Sequence, residues 1–381
     1  MKILFVIYIR GFAGAEKFVA EVLSQLKEKG FEVALTCIHL ESDGLNYQDV
    51  TCLIDTEKIP IHYIQIKNAF SFKVIKDLAA IIKAGNFDVV HSNMIHADFW
   101  ASMVKRLYVK NITLVSTKHG YDNAYANKFG LYPGHRIYNL YYFISLFSEK
   151  NITRSSTISE GVYKLWIDLG ICSPTKTEVI HYGFQLQSIE KQPVSSDVRF
   201  GNKQICIVGR LIDWKGHEFV IRALPSVIKH LADVKLIIVG SGEHESYLKN
   251  LVNSLYLNNY VIFEGFKRNA LAYMSQSDVV IVPSISEGFG IVTVEAFVSK
   301  TPVIAFDVPA CNELIEDGHS GFLIPPYDID KLTEKIVYVL QNKTEMKTIT
   351  DNAYHRLTTV FSSEKMIEKL LRFYEKALNK A

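Results

Sequence analysis

The chain has 381 residues, 48% of them hydrophobic, and a formal net charge of +2. That length exceeds what one core usually holds, so two domains of ordinary size are expected. The nearly balanced charge implies no polyanion-binding surface, and nucleic acid is set aside as a partner. The cysteines at 37, 52, 172, 206 and 311 are odd in number and form no Cys-x-x-Cys pair. They read as reduced core residues.

The opening apolar run over 3–9 is short and has no small-residue cleavage site, so it reads as a first strand and not a leader. No run of about 18 apolar residues occurs, and a cytoplasmic protein is expected, touching a membrane at most peripherally at its inner face. The Asn-x-Ser/Thr triplets at Asn111, Asn151 and Asn342 then have no glycosylation role.

Short β-branched runs alternate with longer segments of helical period along the whole chain, which is the pattern of βα units and parallel sheets. The fold class is therefore α/β. After the first strand, Phe18, Val19, Val22, Leu23 and Leu26 mark one face of a helix from about Ala15, stopped by Gly30. Further strands are predicted over 31–38, 61–66, 87–91, 112–117, 155–158 and 177–180. A polar stretch carrying Pro193 then breaks the pattern. A first domain over 1–185, a linker over 186–202 and a second domain over 203–361 follow from that break. In the second domain strands are predicted over 204–208, 234–239, 261–263, 279–282, 303–306 and 321–324, a second doubly wound sheet. The last helix, over 362–378, has an apolar stripe of Met366, Ile367, Leu370, Leu371, Tyr374 and Leu378.

Two of these strand ends carry chemistry. After the run ending at Val208 comes Gly209-Arg210-Leu211-Ile212-Asp213-Trp214-Lys215-Gly216-His217, with two permanent cations five residues apart. Such a strand-to-helix turn can hold a diphosphate without a metal. After the run ending at Pro283, Glu287 sits beside Gly288 and Gly290, and Glu295 follows eight positions later inside the next helix. Taken singly, these are ordinary surface or capping charges. Taken together, each at the end of a buried parallel strand, they point to a ligand site, because open parallel sheets bind ligands at those ends.

The chain resembles glycosyltransferase family four, the retaining group with the GT-B fold of two Rossmann-like domains facing a cleft. The likeness also runs through Gly11-Phe12-Ala13-Gly14-Ala15-Glu16, Ser116-Thr117-Lys118-His119-Gly120, Ser156-Thr157-Ile158-Ser159-Glu160 and Glu264-Gly265-Phe266. The resemblance implies that the second domain holds a nucleotide-sugar donor, a UDP- or GDP-sugar. Arg210 and Lys215 would pair with its diphosphate, Glu287 would accept hydroxyls of its sugar, and Glu295 those of its ribose. Backbone N–H groups of Phe289, Gly290 and Ile291 would face sugar and phosphate, and the base would lie near Gly265 and Phe266. From the first domain, Gly14 would bring its N–H to the diphosphate and His119 would touch the donor sugar. The final helix would return to the first domain.

By the same resemblance the reaction is a metal-independent hexosyl transfer with retention, onto a sugar or lipid-linked acceptor in cell-surface polysaccharide or lipid-linked glycan synthesis. No cofactor is expected. Asp328-Ile329-Asp330 reads as a helix cap and not as a metal motif. The spacing of His91 and His96 does not suit one helical face, so acceptor contacts or structural roles are expected there. The aromatic segment 121–147 would either meet the acceptor or bury one face of a helix from about Gly134 to Phe147, and Lys105, Arg106 and Lys110 would either favour anionic lipid or form a solvated face. An epimerase on the same fold, or a catalytically silent nucleotide-sugar binding protein, stands as the alternative. A dinucleotide dehydrogenase is disfavoured, because Gly11-Phe12-Ala13-Gly14 does not match Gly-x-Gly-x-x-Gly.

Overall fold

The computed structural model describes residues 1–9, 14–43, 59–68, 71–120, 131–132, 135–136, 139–185 and 198–379. Gly11 to Ala13, Cys52, Tyr121, Tyr125, Phe129, Tyr138 and most of the expected linker lie outside them. The chain divides into two compact units, one formed by Met1–Phe184 with Ser363–Ala381 and the other by Gln185–Ser362.

In the first unit the strands are β1 (Lys2–Tyr8), β2 (Glu32–Leu40), β3 (Ile61–Ile66), β4 (Val89–Asn93), β5 (Thr113–Lys118), β8 (Arg154–Thr157) and β9 (Thr177–Val179). They pair in parallel in the order β3-β2-β1-β4-β5-β8-β9. Helices cover both faces of such a sheet, and the sequence of β1 accordingly is apolar and buried from Ile3 to Tyr8 without alternation. Its helices are α1 (Gly14–Glu28), α2 (Phe72–Gly85), α3 (Ile95–Leu107), α4 (Leu140–Asn151) and α5 (Glu160–Asp168), with the C-terminal α13 (Ser363–Leu378). Val74, Leu78 and Ile82 of α2 and Trp100 and Val104 of α3 share one core with Leu4, Val6 and Val90. Phe18, Val19, Val22 and Leu26 of α1 are buried as their spacing predicted.

The C-terminal helix belongs to the first unit, where it packs on α1 and β5. Its stripe differs from the predicted one. Met366, Leu370, Phe373 and Ala377 are buried, while Leu378 is 37% exposed. The i, i+4, i+7 rhythm of an α-helix carries the buried line through Phe373 and past Leu378. A buried hydrogen bond of 2.7 Å joins Tyr374 Oη to His91 Nδ1, and the other ring nitrogen of His91 meets Thr117 Oγ1 at 2.7 Å.

The expected helix from Gly134 to Phe147 requires correction. Two short antiparallel strands, β6 (Leu131–Tyr132) and β7 (His135–Arg136), pair there, and helix α4 begins only at Leu140. Asn139 sets that start, because its side-chain oxygen accepts the Tyr142 N–H at 2.9 Å. The helix buries Tyr142 but leaves Leu140 and Phe143 exposed, so its aromatic residues are not all on the core face.

The second unit has strands β10 (Lys203–Val208), β11 (Val234–Val239), β12 (Val261–Gly265), β13 (Val279–Val282), β14 (Val303–Phe306) and β15 (Phe322–Ile324). They are all parallel, in the order β12-β11-β10-β13-β14-β15. Its helices are α6 (His217–His230), α7 (Glu245–Ser254), α8 (Leu271–Ser275), α9 (Ile291–Val298), α10 (Cys311–Leu314), α11 (Ile329–Gln341) and α12 (Lys343–Val360). Helix α6 packs with α7 and α11, and α9 with α8, α10 and α12. The strand order reverses direction between β10 and β13, so the loops after these two strands flank the switch point where doubly wound sheets take ligands.

Candidate active site

The loops at that switch point are fastened to each other. The Ile285 N–H donates to the Trp214 carbonyl at 2.8 Å, and Gly216, in the left-handed region at φ 68°, packs so that a Cβ there would lie 2.0 Å from the Pro283 carbonyl oxygen. Only glycine fits that contact. Across the junction Lys215 Nζ meets Glu287 Oε1 at 2.5 Å, with the two side chains 18% and 11% exposed. A half-buried, charge-assisted bond of this kind holds both groups in one geometry. The sequence placed each of them at a ligand, and the structure adds that they hold one another. Arg210 is exposed, its guanidinium 6.0 Å from the Trp214 ring centroid.

Helix α9 starts directly behind Glu287. Gly290 is its N-cap at φ 91°, and no side chain caps the helix. The first N–H groups of a helix have no partner within it, and its dipole adds partial positive charge, so an anion is favoured there. Phe289 is buried against Phe361, while Gly290 and Ile291 carry the turn into the helix, and Glu295 lies in its second turn, half-buried. Cys311 is buried near Lys215 and Glu287, and desolvation pushes its thiol well above the ordinary range, so it offers no nucleophile at neutral pH.

On the other side of β10, the pairing of β11 with β12 slips at Glu264, which is passed over between the pairs Ile238 to Phe263 and Val239 to Gly265. The extra residue of this bulge accepts a hydrogen bond from Tyr273 Oη at 2.7 Å. Gly265 follows at φ 70° with no atom within 4 Å of where a Cβ would stand, and Phe266 is 71% exposed. An exposed ring beside an open glycine is a ready stacking surface.

In the first unit Gly14 opens α1, and His119 directly follows β5. His119 Nε2 meets Asn93 Oδ1 at 2.8 Å, its Nδ1 has no hydrogen-bond partner, and the Phe18 ring stands edge-on at 4.9 Å. Desolvation pushes its pKa down to about 3, so the ring is neutral at physiological pH. The position of Asn93, at the end of the adjacent strand, could not be read from the chain, because only the strand order brings β4 beside β5.

A buried charge cluster supports that strand end. Lys118 Nζ lies 2.7 Å from Asp98 Oδ2 and 3.3 Å from Glu149 Oε2, all three side chains being at most 4% exposed. Ser92 and Ser116 donate to Asp98 Oδ1 at 2.5 and 2.7 Å, and Ser155 to both oxygens of Glu149. Desolvation works against the ammonium, but the two carboxylates outweigh it and hold Lys118 charged, its pKa above the ordinary lysine value. A lysine ending the fully buried strand Thr113-Leu114-Val115-Ser116-Thr117-Lys118, which carries no other charge, was the available signal.

The histidines expected to have structural or acceptor roles are core residues. His91 is bonded as described, and His96 lies among the rings of Tyr8, Trp100 and Tyr141. Asp328 caps α11, accepting the Lys331 N–H at 2.9 Å. Among the described residues no group of three His, Cys, Asp or Glu is placed to hold a metal, and no helix is long and apolar enough to cross a membrane. Cys37, Cys172, Cys206 and Cys311 are free and buried.

Burial also makes the fold sensitive to acid. His91, His119 and His217 are each pushed down to about 3, chiefly by desolvation. The unfolded chain protonates them near 6.5, so between pH 6.5 and 3 it binds more protons than the fold, and stability falls as pH falls, by up to about 1.4 kcal/mol per pH unit for each ring. Urea unfolding at pH 6.5, 5.5 and 4.5 is expected to show that slope, reduced by about one ring's share in His91→Gln. An unchanged slope in that variant would contradict the assignment.

Comparison with known proteins gives the same picture. Residues 188–356 match the family Glycosyl transferases group 1, and residues 12–188 match Glycosyltransferase Family 4. The chain is 32% identical over 186 residues to an uncharacterized glycosyltransferase of Methanocaldococcus jannaschii, a match spanning 48% of this chain and about half of the relative, 47%. It is 24% identical to the N-acetylgalactosamine-N,N'-diacetylbacillosaminyl-diphospho-undecaprenol 4-alpha-N-acetylgalactosaminyltransferase of Campylobacter jejuni, over 96% of this chain and 97% of that one. Among solved structures, HepE of Anabaena in complex with UDP superposes with a TM-score of 0.81 at 20% identity, covering 99% of this chain and 100% of that one. With both halves matched and two Rossmann-like units carrying the expected loops, the chain belongs to the family-four, group 1 glycosyltransferases of the GT-B fold.

Proposed function

We propose that the chain moves a hexosyl unit from a UDP- or GDP-sugar to an acceptor hydroxyl, with retention of anomeric configuration and without a metal ion. The observation that carries this reading is the junction at the second sheet's switch point, where Lys215 is bonded to Glu287 in the loop that leads to the uncapped start of α9, and Arg210 lies exposed in the same turn as Lys215. As the bond from the anomeric carbon to the phosphate oxygen breaks, its electron pair moves onto the departing diphosphate. Two fixed cations and helix-end N–H groups stabilise that charge more in the transition state than in the bound donor. They supply the positive charge that a divalent ion would otherwise bring.

The acceptor oxygen forms the new bond on the face the diphosphate leaves, and its proton passes to a phosphate oxygen of the leaving group. No protein nucleophile is needed. Glu287 orients the donor sugar through its hydroxyls, Glu295 accepts from the ribose, and the base stacks at Gly265 and Phe266. The family resemblance assigns Gly14 and His119 of the first unit to the same donor, and neutral His119, with its Nε2–H given to Asn93 Oδ1, has only an acceptor left at Nδ1. A lipid-linked acceptor is supported by the diphospho-undecaprenol in the Campylobacter relative's name and by the exposed Leu140 and Phe143 in the first unit.

Slow hydrolysis of the donor tests the stereochemistry before any acceptor is known. UDP-glucose, UDP-N-acetylglucosamine, UDP-N-acetylgalactosamine and GDP-mannose are incubated with the protein and EDTA, and the first free sugar is followed by proton NMR. The α anomer is expected to appear first from the donor that is cleaved. First appearance of the β anomer would overturn retention.

A further inference from the structure

A cavity of about 360 Å3 opens in the second unit at the first turns of α6 and α7, and none of its lining residues belongs to the Lys215–Glu287 pair or to the loop after β13. Its size falls in the range of small-molecule sites. His217 lines it, is only 2% exposed, and has no hydrogen-bond partner on either ring nitrogen. Buried polar atoms are almost always satisfied, and an unsatisfied one costs about 1–3 kcal/mol, so His217 is suited to a partner that enters the cavity.

The remaining lining is arranged around it. Tyr247 Oη donates to Glu218 Oε2 at 2.5 Å, and the His244 ring meets the Tyr247 ring edge-on at 5.8 Å, so the exposed phenol is braced from two sides. Asp213 stands exposed at the rim, its Oδ1 accepting the Trp214 N–H at 2.7 Å. Gly216 and His244 start the two helices with no side-chain cap.

Charge decides the ligand class. The helix starts favour negative charge and the Asp213 carboxylate opposes it, while Glu218 and Glu245 are balanced by Arg222 at 3.8 Å and Lys249 at 2.7 Å, so the rim favours no anion. A cation meets the same helix ends. Among the described residues no three ligands are placed for a metal. A neutral polyhydroxylated ring suits every group at once: carboxylates accept its hydroxyl protons, an imidazole donates with one nitrogen and accepts with the other, and the Tyr247 ring covers its C–H face.

We propose that this cavity is a second saccharide subsite, binding a neutral sugar ring of a glycan between the turn after β10, which supplies Ile212, Asp213 and His217, and the first turns of α6 and α7, with no residue of the loop after β13 in its lining. Bracing of Tyr247 before the ligand arrives lowers the ordering cost of binding.

Saturation-transfer NMR with methyl α-glucoside, methyl α-galactoside and methyl N-acetyl-α-glucosaminide, with UDP present throughout, tests it on the full chain. At least one glycoside is expected to receive saturation, at least tenfold less in Tyr247→Ala and in Glu218→Gln, and undiminished in Glu287→Gln. Tyr247 is exposed and Glu218 half-buried, so neither change removes core packing, and either variant alone suffices. Silence from all three glycosides would overturn the proposal. So would transfer that survives Tyr247→Ala and Glu218→Gln, or that is lost instead in Glu287→Gln. Displacement of the His217 ring resonances by inorganic phosphate and not by any glycoside would overturn the neutral-ligand assignment.

Discussion

Lys215→Ala is expected to lower kcat by about 10²–10³-fold while leaving the KM for the donor within a few-fold. An electrostatic donor aimed at charge that develops in the transition state is worth roughly 2.7–4 kcal/mol, and its loss appears in kcat when the ground state has less of that charge. The ammonium has three hydrogens, so it can keep Glu287 and still reach a phosphate oxygen. The variant also strands a carboxylate that is only 11% exposed, which is expected to cost about 1–3 kcal/mol of stability in the second unit. These two effects separate the possible roles of the lysine. Were it only a clamp for Glu287, the melting temperature would fall while kcat stayed within a few-fold of the parent. Steady-state kinetics together with a melt of the same preparation distinguishes the two outcomes, and unchanged turnover would remove Lys215 from the chemistry.

The largest expected loss of stability lies elsewhere, in Lys118→Met. Asp98 and Glu149 would remain as two carboxylates at 3% exposure without the cation that joins them, although their serine donors persist. Removing one partner of a buried ion group typically costs about 3–5 kcal/mol. For a unit of this size that corresponds to a melting temperature lower by on the order of 10 °C. Calorimetric scans of both proteins at pH 8 check it. A deficit below about 1 kcal/mol at pH 8 would mean that the cluster is well hydrated and adds little to the first unit. Lys118 precedes His119 directly, so a loosened β5 end is also expected to weaken the 2.8 Å contact between His119 and Asn93.

What the chain disclosed depended on how local the signal was. Strands at 279–282 and 303–306 were readable to the residue because a buried parallel strand is a short uninterrupted apolar run, and those at 61–66 and 234–239 were readable despite His62, Gln65 and Lys235 because β-branched residues still dominate them. The start of α4 was not, since aromatic residues suit both strand and helix, and the pairing of β6 with β7 competes with the Asn139 cap. Along α13 a stripe counted by composition included Leu378, whereas helical rotation buries Phe373.

The placement of Arg210 and Lys215 after β10, and of Glu287 and Glu295 after β13, was legible because each follows a readable strand end. The bond between Lys215 and Glu287 was not, for it follows from β10 and β13 being neighbours despite their separation in sequence. For the same reason Asn93 beside His119, and Asp98 and Glu149 around Lys118, emerge only from the strand order β4-β5-β8. His217 carried no signal beyond closing the turn after β10, and its two unpartnered nitrogens appear only in the folded unit, where α6 packs on α7.

Metal-free binding of a nucleoside diphosphate is the claim on which the rest stands. Thermal shift with UDP and with GDP, each titrated in the presence of EDTA, measures it directly. A ligand at about 100 times its Kd adds roughly 2.7 kcal/mol, which for a unit of this size raises its melting temperature by about 5–10 °C. One of the two nucleotides is expected to produce that rise, and Lys215→Ala to reduce it only modestly. No rise with either nucleotide, or a rise that appears only when magnesium replaces EDTA, would contradict the account.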